Sequence, residues 1–184
     1  RADNELRFPQ AAGTFACALD VTISPDTTPH LHTLLRRTLV DAGLSTYGAK
    51  DHYKRTRPFV AEKAPLCAPE EAERLAKDGS YPSGHSALGW AWALVLTQIA
   101  PERADALLQR GHAFGQSRVV CGAHWQSDVD QGRVMGAAAV ARLQSDPVFR
   151  AQLDAARAEV LAQRAQGARP SAAACAAEAA ALKP

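Results

Sequence analysis

The sequence has no hydrophobic run long enough to span a membrane, and it has almost no net charge. A transmembrane helix needs about 18 or more consecutive apolar residues. The longest candidate, residues 87–100, is shorter and already contains the polar Thr97 and Gln98. The net charge of +2 is too small to indicate binding to nucleic acid or to an anionic membrane surface. We therefore expect a single globular domain of 184 residues with no membrane span and no nucleic-acid partner.

Cysteine is scarce, and its spacing does not indicate a metal site. No CxxC or CxxH pair occurs, so zinc has little support, and no other metal or cofactor is predicted. An even number of widely spaced cysteines fits two disulfides and an oxidising compartment. Four unpaired buried thiols in a cytosolic protein are the alternative. The four residues concerned are Cys17, Cys67, Cys121 and Cys175.

Strand signals are also scarce, so the sequence predicts an all-α fold. Alternation of apolar and polar residues is nearly absent, and segments rich in alanine and leucine have helical spacing. The stretch 86–99 is apolar almost all round, which indicates a central buried helix in a single-domain bundle. We expect the domain to cover residues 1–165 and the alanine-rich residues 166–184 to form a tail or a loosely docked helix. The other predicted helices cover 30–42, 46–56, 70–77, 101–121, 128–143 and 147–165.

Local signals predict where two of these helices begin. Thr28 followed by proline is typical of an N-cap and a first helical residue. Ser127 with Asp130 three residues later resembles a capping box that starts a helix at Asp128. In the N-terminal segment two aromatic residues are expected to pack on the bundle, Phe8 and Phe15.

The first motif that indicates chemistry is KDHYKRTRP, residues 50–58. Lys50 and Arg57 are seven residues apart, close to two helical turns at about 3.6 residues per turn, so both can lie on one helix face. A lysine and an arginine that converge in this way can bind a dianion. A solvated basic face is the alternative explanation for this stretch.

The second motif is PSGH, residues 82–85, directly before the central helix. Ser83 can cap that helix, and the free N–H groups at its start form a site for an anion. Gly84 allows a ligand to approach the backbone closely. His85 stands at the same position and can transfer a proton. A capped helix with an incidental histidine is the alternative.

The third motif is SRVVCGAHWQSD, residues 117–128. Arg118 ends one predicted helix, and His124 precedes the next. Asp128, four residues after His124, can accept the proton of Nδ1 and leave Nε2 free as a nucleophile. A core histidine that is satisfied by a nearby acid is the alternative.

The three motifs occur in the order KxxxxxxRP, PSGH and SRxxxxxHxxxD, and together they resemble the signature of a known superfamily. It comprises the type 2 phosphatidic acid phosphatases and the vanadium haloperoxidases. The sequence between the motif positions is similar to that of the bacterial class A non-specific acid phosphatases. The resemblance covers about residues 27–165. The matching positions are Lys50, Arg57, Pro58, Pro82, Ser83, Gly84, His85, Ser117, Arg118, His124 and Asp128.

The resemblance implies a phosphatase that needs no metal or cofactor and accepts many phosphomonoesters. His124 would attack phosphorus and form a phosphohistidine, Asp128 would hold its tautomer, and His85 would protonate the leaving alkoxide. The phosphate oxygens would be bound by Lys50, Arg57, Ser83, the Gly84 N–H and Arg118. Because His85 must be protonated and His124 neutral, we expect a bell-shaped pH profile with an optimum between mildly acidic and neutral.

The resemblance also guides the expectations for partners and location. Small phosphomonoesters are the expected substrates, inorganic phosphate or vanadate the expected inhibitors, and transfer of phosphate to alcohols a side activity. Cys67 and Cys121 flank the motifs, so we expect them to pair, which leaves Cys17 with Cys175. The chain begins with arginine, not methionine, so a removed signal peptide and a periplasmic or secreted location are expected. A homo-oligomer is compatible with these features.

Three other classes of protein share parts of this pattern. A vanadium-dependent haloperoxidase would bind vanadate in the same cradle, but such relatives are usually much longer. Membrane lipid phosphatases share the motifs but need membrane spans. A non-catalytic phosphate-binding helical protein would have no chemical use for the matching polar residues.

Overall fold

The structure, a computed structural model, describes residues 2–182, and every regular element in that range is a helix. The predicted all-α fold is therefore confirmed. Short 3-10 turns at Ala2–Asn4, Gln10–Phe15, Pro69–Glu71 and Pro101–Arg103 join some of the helices. The α-helices are α1 (Ala16–Leu19), α2 (Pro29–Leu44), α3 (Tyr47–Tyr53), α4 (Pro58–Ala61), α5 (Ala72–Ala76), α6 (Gly84–Ile99), α7 (Ala104–Val120), α8 (Gln126–Leu143), α9 (Pro147–Ala165) and α10 (Ala172–Ala181).

The central helix of the bundle is α6, at the place where the sequence predicts a buried helix. It packs against α2, α7, α8 and α9, so most of its side chains are buried. Trp92 at its middle is fully buried, and its indole N–H donates to the Leu35 carbonyl at 2.9 Å. Phe8 and Phe15 each meet Trp92 edge-to-face with ring centroids 6.0 Å apart. The N-terminal segment therefore belongs to the core.

Helix α8 lies unusually close to α6 because glycines face it. A Cβ atom built at Gly132 would lie 2.5 Å from the Ser83 carbonyl oxygen. One built at Gly136 would lie 2.2 Å from the Ala87 carbonyl oxygen. Only glycine allows this approach, which brings the start of α8 beside the start of α6.

The predicted start of α2 is confirmed, with Thr28 as the N-cap residue and Pro29 as the first helical residue, but the capping hydrogen bond is different from the expected one. The Thr28 hydroxyl bonds to Ser24 and does not cap α2. The N–H groups of His30 and Leu31 donate instead to the Glu159 carboxylate of α9, both at 2.9 Å. A partner 128 residues away in the sequence gives no local signal.

Helix α8 begins two residues before the predicted start. It starts at Gln126, and Asp128 in its first turn accepts a hydrogen bond from the Trp125 N–H at 2.9 Å. The carboxylate that caps this helix is therefore Asp128 itself. Ser127 faces solvent and bonds to Arg55.

Two disulfides connect distant parts of the chain, Cys17–Cys175 and Cys67–Cys121, the two pairs proposed above. The first ties α10, in the alanine-rich C-terminal region, to α1. Glu178 of α10 also pairs with the buried Arg110 of α7 at 3.4 Å.

No helix within residues 2–182 is both long and apolar enough to cross a membrane.

Candidate active site

A cavity of about 330 Å³ lies where the three motifs meet. Its polar lining comes from separate elements: Lys50 from α3, the segment before α4, the start of α6, and the segment before α8. Residues from all three motifs therefore face one space, which is the size of a small-molecule site (roughly 300–1,000 Å³). The predicted site residues in its lining are Lys50, Arg57, Gly84, His85 and His124.

His124 is a buried, neutral histidine with a defined tautomer. Its Nδ1 lies 3.4 Å from Asp128 Oδ2, and its Nε2 lies 3.0 Å from Arg57 Nη1. An arginine can only donate, so Nε2 must accept and the ring proton is on Nδ1. Burial lowers the pKa of His124 to about 4, with help from the charges of Arg57 and Lys50, although the hydrogen bond to Asp128 opposes this. Nε2 is therefore unprotonated at mildly acidic pH, and its lone pair accepts the hydrogen bond from Arg57.

Asp128 is a fully buried carboxylate with three partners. Oδ2 faces His124 and accepts from the Trp125 N–H at 2.9 Å, and Oδ1 accepts from Arg55 Nη1 at 2.8 Å. Burial raises the pKa of Asp128, but the hydrogen bonds from His124 and the Trp125 N–H outweigh it, so the pKa is lower than usual. The carboxylate therefore stays ionised and fixes the orientation of His124.

Lys50 and Arg57 converge, but not on one helix face as the spacing predicts. Helix α3 ends at Tyr53, Lys54 takes a left-handed conformation (φ 43°), and Arg57 is the extended residue before α4. Both side chains reach Asp78 Oδ2, Lys50 Nζ at 3.3 Å and Arg57 Nη2 at 2.9 Å. Arg57 also donates from Nε to the Leu75 carbonyl at 2.8 Å.

These two cations are buried, and burial lowers the pKa of both. Carbonyl oxygens supply the remaining partners: Lys50 donates to Gly79, and Arg57 Nη1 donates to Ala123 at 3.0 Å. The loop 77–83 and the segment before α8 thus hold both positive charges at the cavity.

The start of α6 presents Ser83, Gly84 and His85 as the second motif predicts. Ser83 caps the helix, its Oγ accepting from the Ser86 N–H at 3.3 Å. Its own N–H donates to the Asp128 carbonyl at 2.9 Å. This bond fixes the helix start against α8. Gly84, the first residue of α6, lines the cavity with a backbone that no side chain covers.

His85 stands between this cavity and a second one of about 350 Å³, which Asn4 and Arg74 also line. Its ring stacks on Phe114 with centroids 6.4 Å apart. Its buried Nε2 has no hydrogen-bond partner among residues 2–182. Burial, followed by the charge of Arg118, lowers the pKa of His85 well below 6.5.

Two residues predicted to bind phosphate, Ser83 and Arg118, are not among those that line the first cavity. Arg118 lies apart from it. Its side chain is buried, and Nη1 donates to Asn4 Oδ1 at 2.8 Å. Burial lowers its pKa to about 10. Nε is buried without a partner in the described part of the chain.

Sequence reasoning missed three residues of the site. Arg55 pairs with Asp128, Asp78 pairs with both Lys50 and Arg57, and Arg74 lines both cavities. Arg55 lies inside the first motif and Asp78 four residues before the second, so their positions were a signal. Within residues 2–182 no cluster of three or more histidine, cysteine, aspartate or glutamate side chains could hold a metal ion.

Residues 32–149 match the PAP2 superfamily, and since this is well over half of its 184 residues, the chain belongs to that family. It is 46% identical over 158 residues to a protein of Providencia stuartii named non-specific acid phosphatase. The aligned residues make up 85% of this chain and 64% of that protein.

Two further relatives give the same picture. A non-specific acid phosphatase of Salmonella typhimurium is 46% identical over 159 residues, covering 86% of this chain and 64% of that protein. An acid phosphatase of Zymomonas mobilis is 40% identical over 158 residues, covering 86% and 60%. The chain thus spans about 64% of the length of the first two relatives.

Proposed function

We propose that this protein is a metal-independent acid phosphatase that hydrolyses phosphomonoesters through a phosphohistidine at His124. The observation that carries the proposal is the geometry of His124, whose Nδ1 faces the ionised Asp128 and whose Nε2 lone pair faces Arg57 at the cavity. Membership of the PAP2 superfamily and the names of the relatives support the same reaction.

In the first step, Arg57 gives up its hydrogen bond to His124 Nε2 and turns to the phosphate oxygens. Nε2 then attacks phosphorus and forms an N–P bond while the ester P–O bond breaks. The leaving alkoxide takes its proton from His85, which lines the same cavity. In the second step, water gives a proton to His85 and attacks phosphorus. The N–P bond then breaks, releasing inorganic phosphate and restoring the lone pair of Nε2. An alcohol in place of water gives phosphotransfer.

Stabilisation of the transition state comes from fixed positive groups. Negative charge spreads over three equatorial oxygens, and Lys50, Arg57 and the N–H of Gly84 face the cavity where it develops. One such donor is typically worth about 2.7–4 kcal/mol. Ser83 supports the cradle indirectly, because its Oγ caps α6 and its N–H bonds to the Asp128 carbonyl. Arg118 adds its charge close enough to lower the pKa of His85, and its Nε, which has no partner among residues 2–182, is the group proposed to donate to phosphate.

The two histidine pKa values favour catalysis in acid. His124 is neutral above about pH 4. Burial and the charge of Arg118 lower the pKa of His85 well below 6.5, so the protonated form that acts as general acid is lost as the pH rises towards neutral.

The two disulfides are typical of proteins from an oxidising compartment, which supports a periplasmic or secreted location.

The test is hydrolysis of phenyl phosphate in excess EDTA, comparing wild type with His124→Ala. We expect turnover that survives the chelator and falls by about 10⁴-fold or more in the variant, as for removal of other catalytic nucleophiles. Quenching in alkaline detergent with ³²P-labelled substrate should trap a base-stable, acid-labile protein phosphate in the wild type only. The exposed His112 of α7 supplies the control, and His112→Ala should keep full activity.

Two outcomes would contradict the proposal. Full activity in His124→Ala would show that the reaction does not pass through a phosphohistidine at His124. Absence of turnover in a folded wild type, together with bromide oxidation by peroxide when vanadate is added, would identify a haloperoxidase.

A further inference from the structure

The cavity that holds Lys50, Arg57 and His124 has a second, apolar part of its lining. This part, called the apolar wall below, consists of Leu39, Val40, Leu44 and Tyr47. The first three lie in the last two turns of α2, and Tyr47 begins α3. None of them is a motif residue, and the chemistry described above uses none of them.

The side chains of the apolar wall face the cavity mouth and contribute little to the core. Val40, Leu44 and Tyr47 are 50%, 63% and 50% exposed, and only Leu39 packs against the core cluster. Large apolar side chains that are exposed side by side at the edge of a charged cavity indicate contact with a ligand. Gly43 lies among them, and a Cβ built there would meet nothing within 4 Å, so the space beside the wall is open.

Most polar groups beside the wall already have partners within the chain, with the buried His85 Nε2, reserved for the leaving oxygen in the proposed reaction, as an exception. Thr46 Oγ1 donates to the Gly43 carbonyl at 2.8 Å, Asp78 is bound by Lys50 and Arg57, and Arg74 is bound by Glu71. A hydroxyl-rich ligand placed against the wall would therefore lose more hydrogen bonds to water than it gains from the protein. An apolar ligand has no such loss.

We infer that the apolar wall binds the leaving group and makes the enzyme favour phosphomonoesters of small apolar or aromatic alcohols over those of polyols and sugars. The inference rests on the proposed function, because the phosphate held at Lys50, Arg57 and His124 is what directs the rest of the ester to the wall. The cavity volume of about 330 Å³ is shared by the phosphate and the leaving group, so a small leaving group is enough to cover the wall. The preference acts within a broad specificity, since phosphate itself is recognised separately.

The experiment measures kcat/KM for ethyl, butyl and hexyl phosphate and for glycerol 1-phosphate. All four release a primary alkoxide, so the leaving-group chemistry is nearly constant while apolar area changes. Burial of a methylene is worth up to about fourfold in binding. We expect kcat/KM to rise about two- to fourfold per methylene, mostly through KM, and to level off when the chain outgrows the cavity. Glycerol 1-phosphate should be the poorest substrate.

Leu44→Asn tests the wall, and Leu161→Asn on α9 is the matched control. The two leucines are 63% and 59% exposed on helices, so both substitutions should leave the fold intact. Leu44→Asn should reduce the gain per methylene to less than half and raise KM for phenyl phosphate, whose ring also lies against the wall in this proposal. Leu161→Asn should behave as wild type.

The outcomes separate this inference from the proposed function. If no ester is hydrolysed, the proposed function has failed. If phenyl phosphate is hydrolysed but chain length has no effect, or glycerol 1-phosphate matches butyl phosphate, only the leaving-group inference is overturned. A second copy of the chain is the other candidate to cover the wall. The inference is overturned if kcat/KM does not change along the alkyl series and sedimentation shows that the wild type is a dimer and that Leu44→Asn dissociates this dimer.

Discussion

At the scale of single residues, Arg55 shows how a group outside the signature can control the nucleophile. Its Nη1 donates to Asp128 Oδ1 at 2.8 Å and to Ser127 Oγ at 2.7 Å, and its guanidinium lies 5.5 Å above the Trp125 ring. Asp128 has no exposed surface, so every partner of its carboxylate matters. Arg55 is therefore a positioning residue that acts on His124 through Asp128.

We predict that Arg55→Gln lowers kcat about tenfold and leaves KM nearly unchanged. A hydrogen bond to a charged group is worth about 1.5–3 kcal/mol, and the low end applies because the Arg55 side chain is 39% exposed and partly screened by solvent. Burial raises the pKa of Asp128, and Arg55 is one of the groups that offset this. The acid limb of the pH–rate profile should therefore move to higher pH.

Arg55→Lys is the control for this variant and should recover part of kcat and the original acid limb. A change in melting temperature with an unchanged acid limb would assign Arg55 a purely structural role. Equal kcat in wild type and Arg55→Gln would show that Arg55 does not position His124.

At the scale of helices, the contact between α6 and α8 positions the nucleophile against the cradle. Gly132 meets the Ser83 carbonyl, and the Ser83 N–H bonds to the Asp128 carbonyl. The helix start that carries Gly84 and the helix that carries Asp128 are thus held together by backbone contacts. Their spacing leaves no room for a methyl group.

We predict that Gly132→Ala lowers the free energy of unfolding by about 1–3 kcal/mol, the usual cost of overpacking. The new Cβ would meet backbone, which cannot move aside as a flexible side chain can. Gly48→Ala in α3 is the matched control, because a Cβ there meets nothing within 4 Å and alanine favours helix. Thermal unfolding of both variants checks this. A Gly132→Ala protein as stable as Gly48→Ala would show that the two helices can separate freely.

The helices could be predicted from the sequence because helical spacing of apolar residues is a local property. Their ends depend on partners that are distant in sequence. Glu159 caps α2 from α9, and the left-handed Lys54 ends α3 before Arg57. Neither the Glu159 cap nor the left-handed Lys54 produces a periodic pattern in the sequence.

The candidate site divides in the same way. The motif residues Lys50, His85 and His124 could be named from residue type and spacing. Asp78 lies near the second motif, but its role could not be predicted, because that role is defined by where two cations from other segments meet. Arg118 could be named but not placed, since its position depends on Asn4 of the N-terminal segment.

At the scale of the whole molecule, the two buried histidines link folding to pH. His124 has a pKa of about 4 in the folded protein, lowered by burial from its usual value of 6.5. Between these values the unfolded chain binds a proton that the folded protein does not, so stability falls as the pH falls from 6.5 to 4. His85 has the same sign, because its pKa is also lowered, by burial and by Arg118.

We predict that the free energy of unfolding decreases by about 3 kcal/mol between pH 7 and pH 4 through His124 alone, the amount that corresponds to its two pKa values. Urea unfolding at several pH values should show this loss in wild type and a smaller one in His124→Asn. His112→Asn, at an exposed position, should match wild type. Parallel pH dependence in His124→Asn and wild type would contradict the low pKa of His124.

The exposure of Val40, Leu44 and Tyr47 also bears on how such a protein can evolve. Substitutions at exposed positions usually change stability by only about 0.5 kcal/mol, whereas His124, Asp128 and the contacts around them are buried. Random variation confined to positions 40, 44 and 47 would therefore yield many folded, active descendants that differ in the alcohols they release. New substrate ranges could arise by drift at the rim of the cavity while the reacting groups stay unchanged.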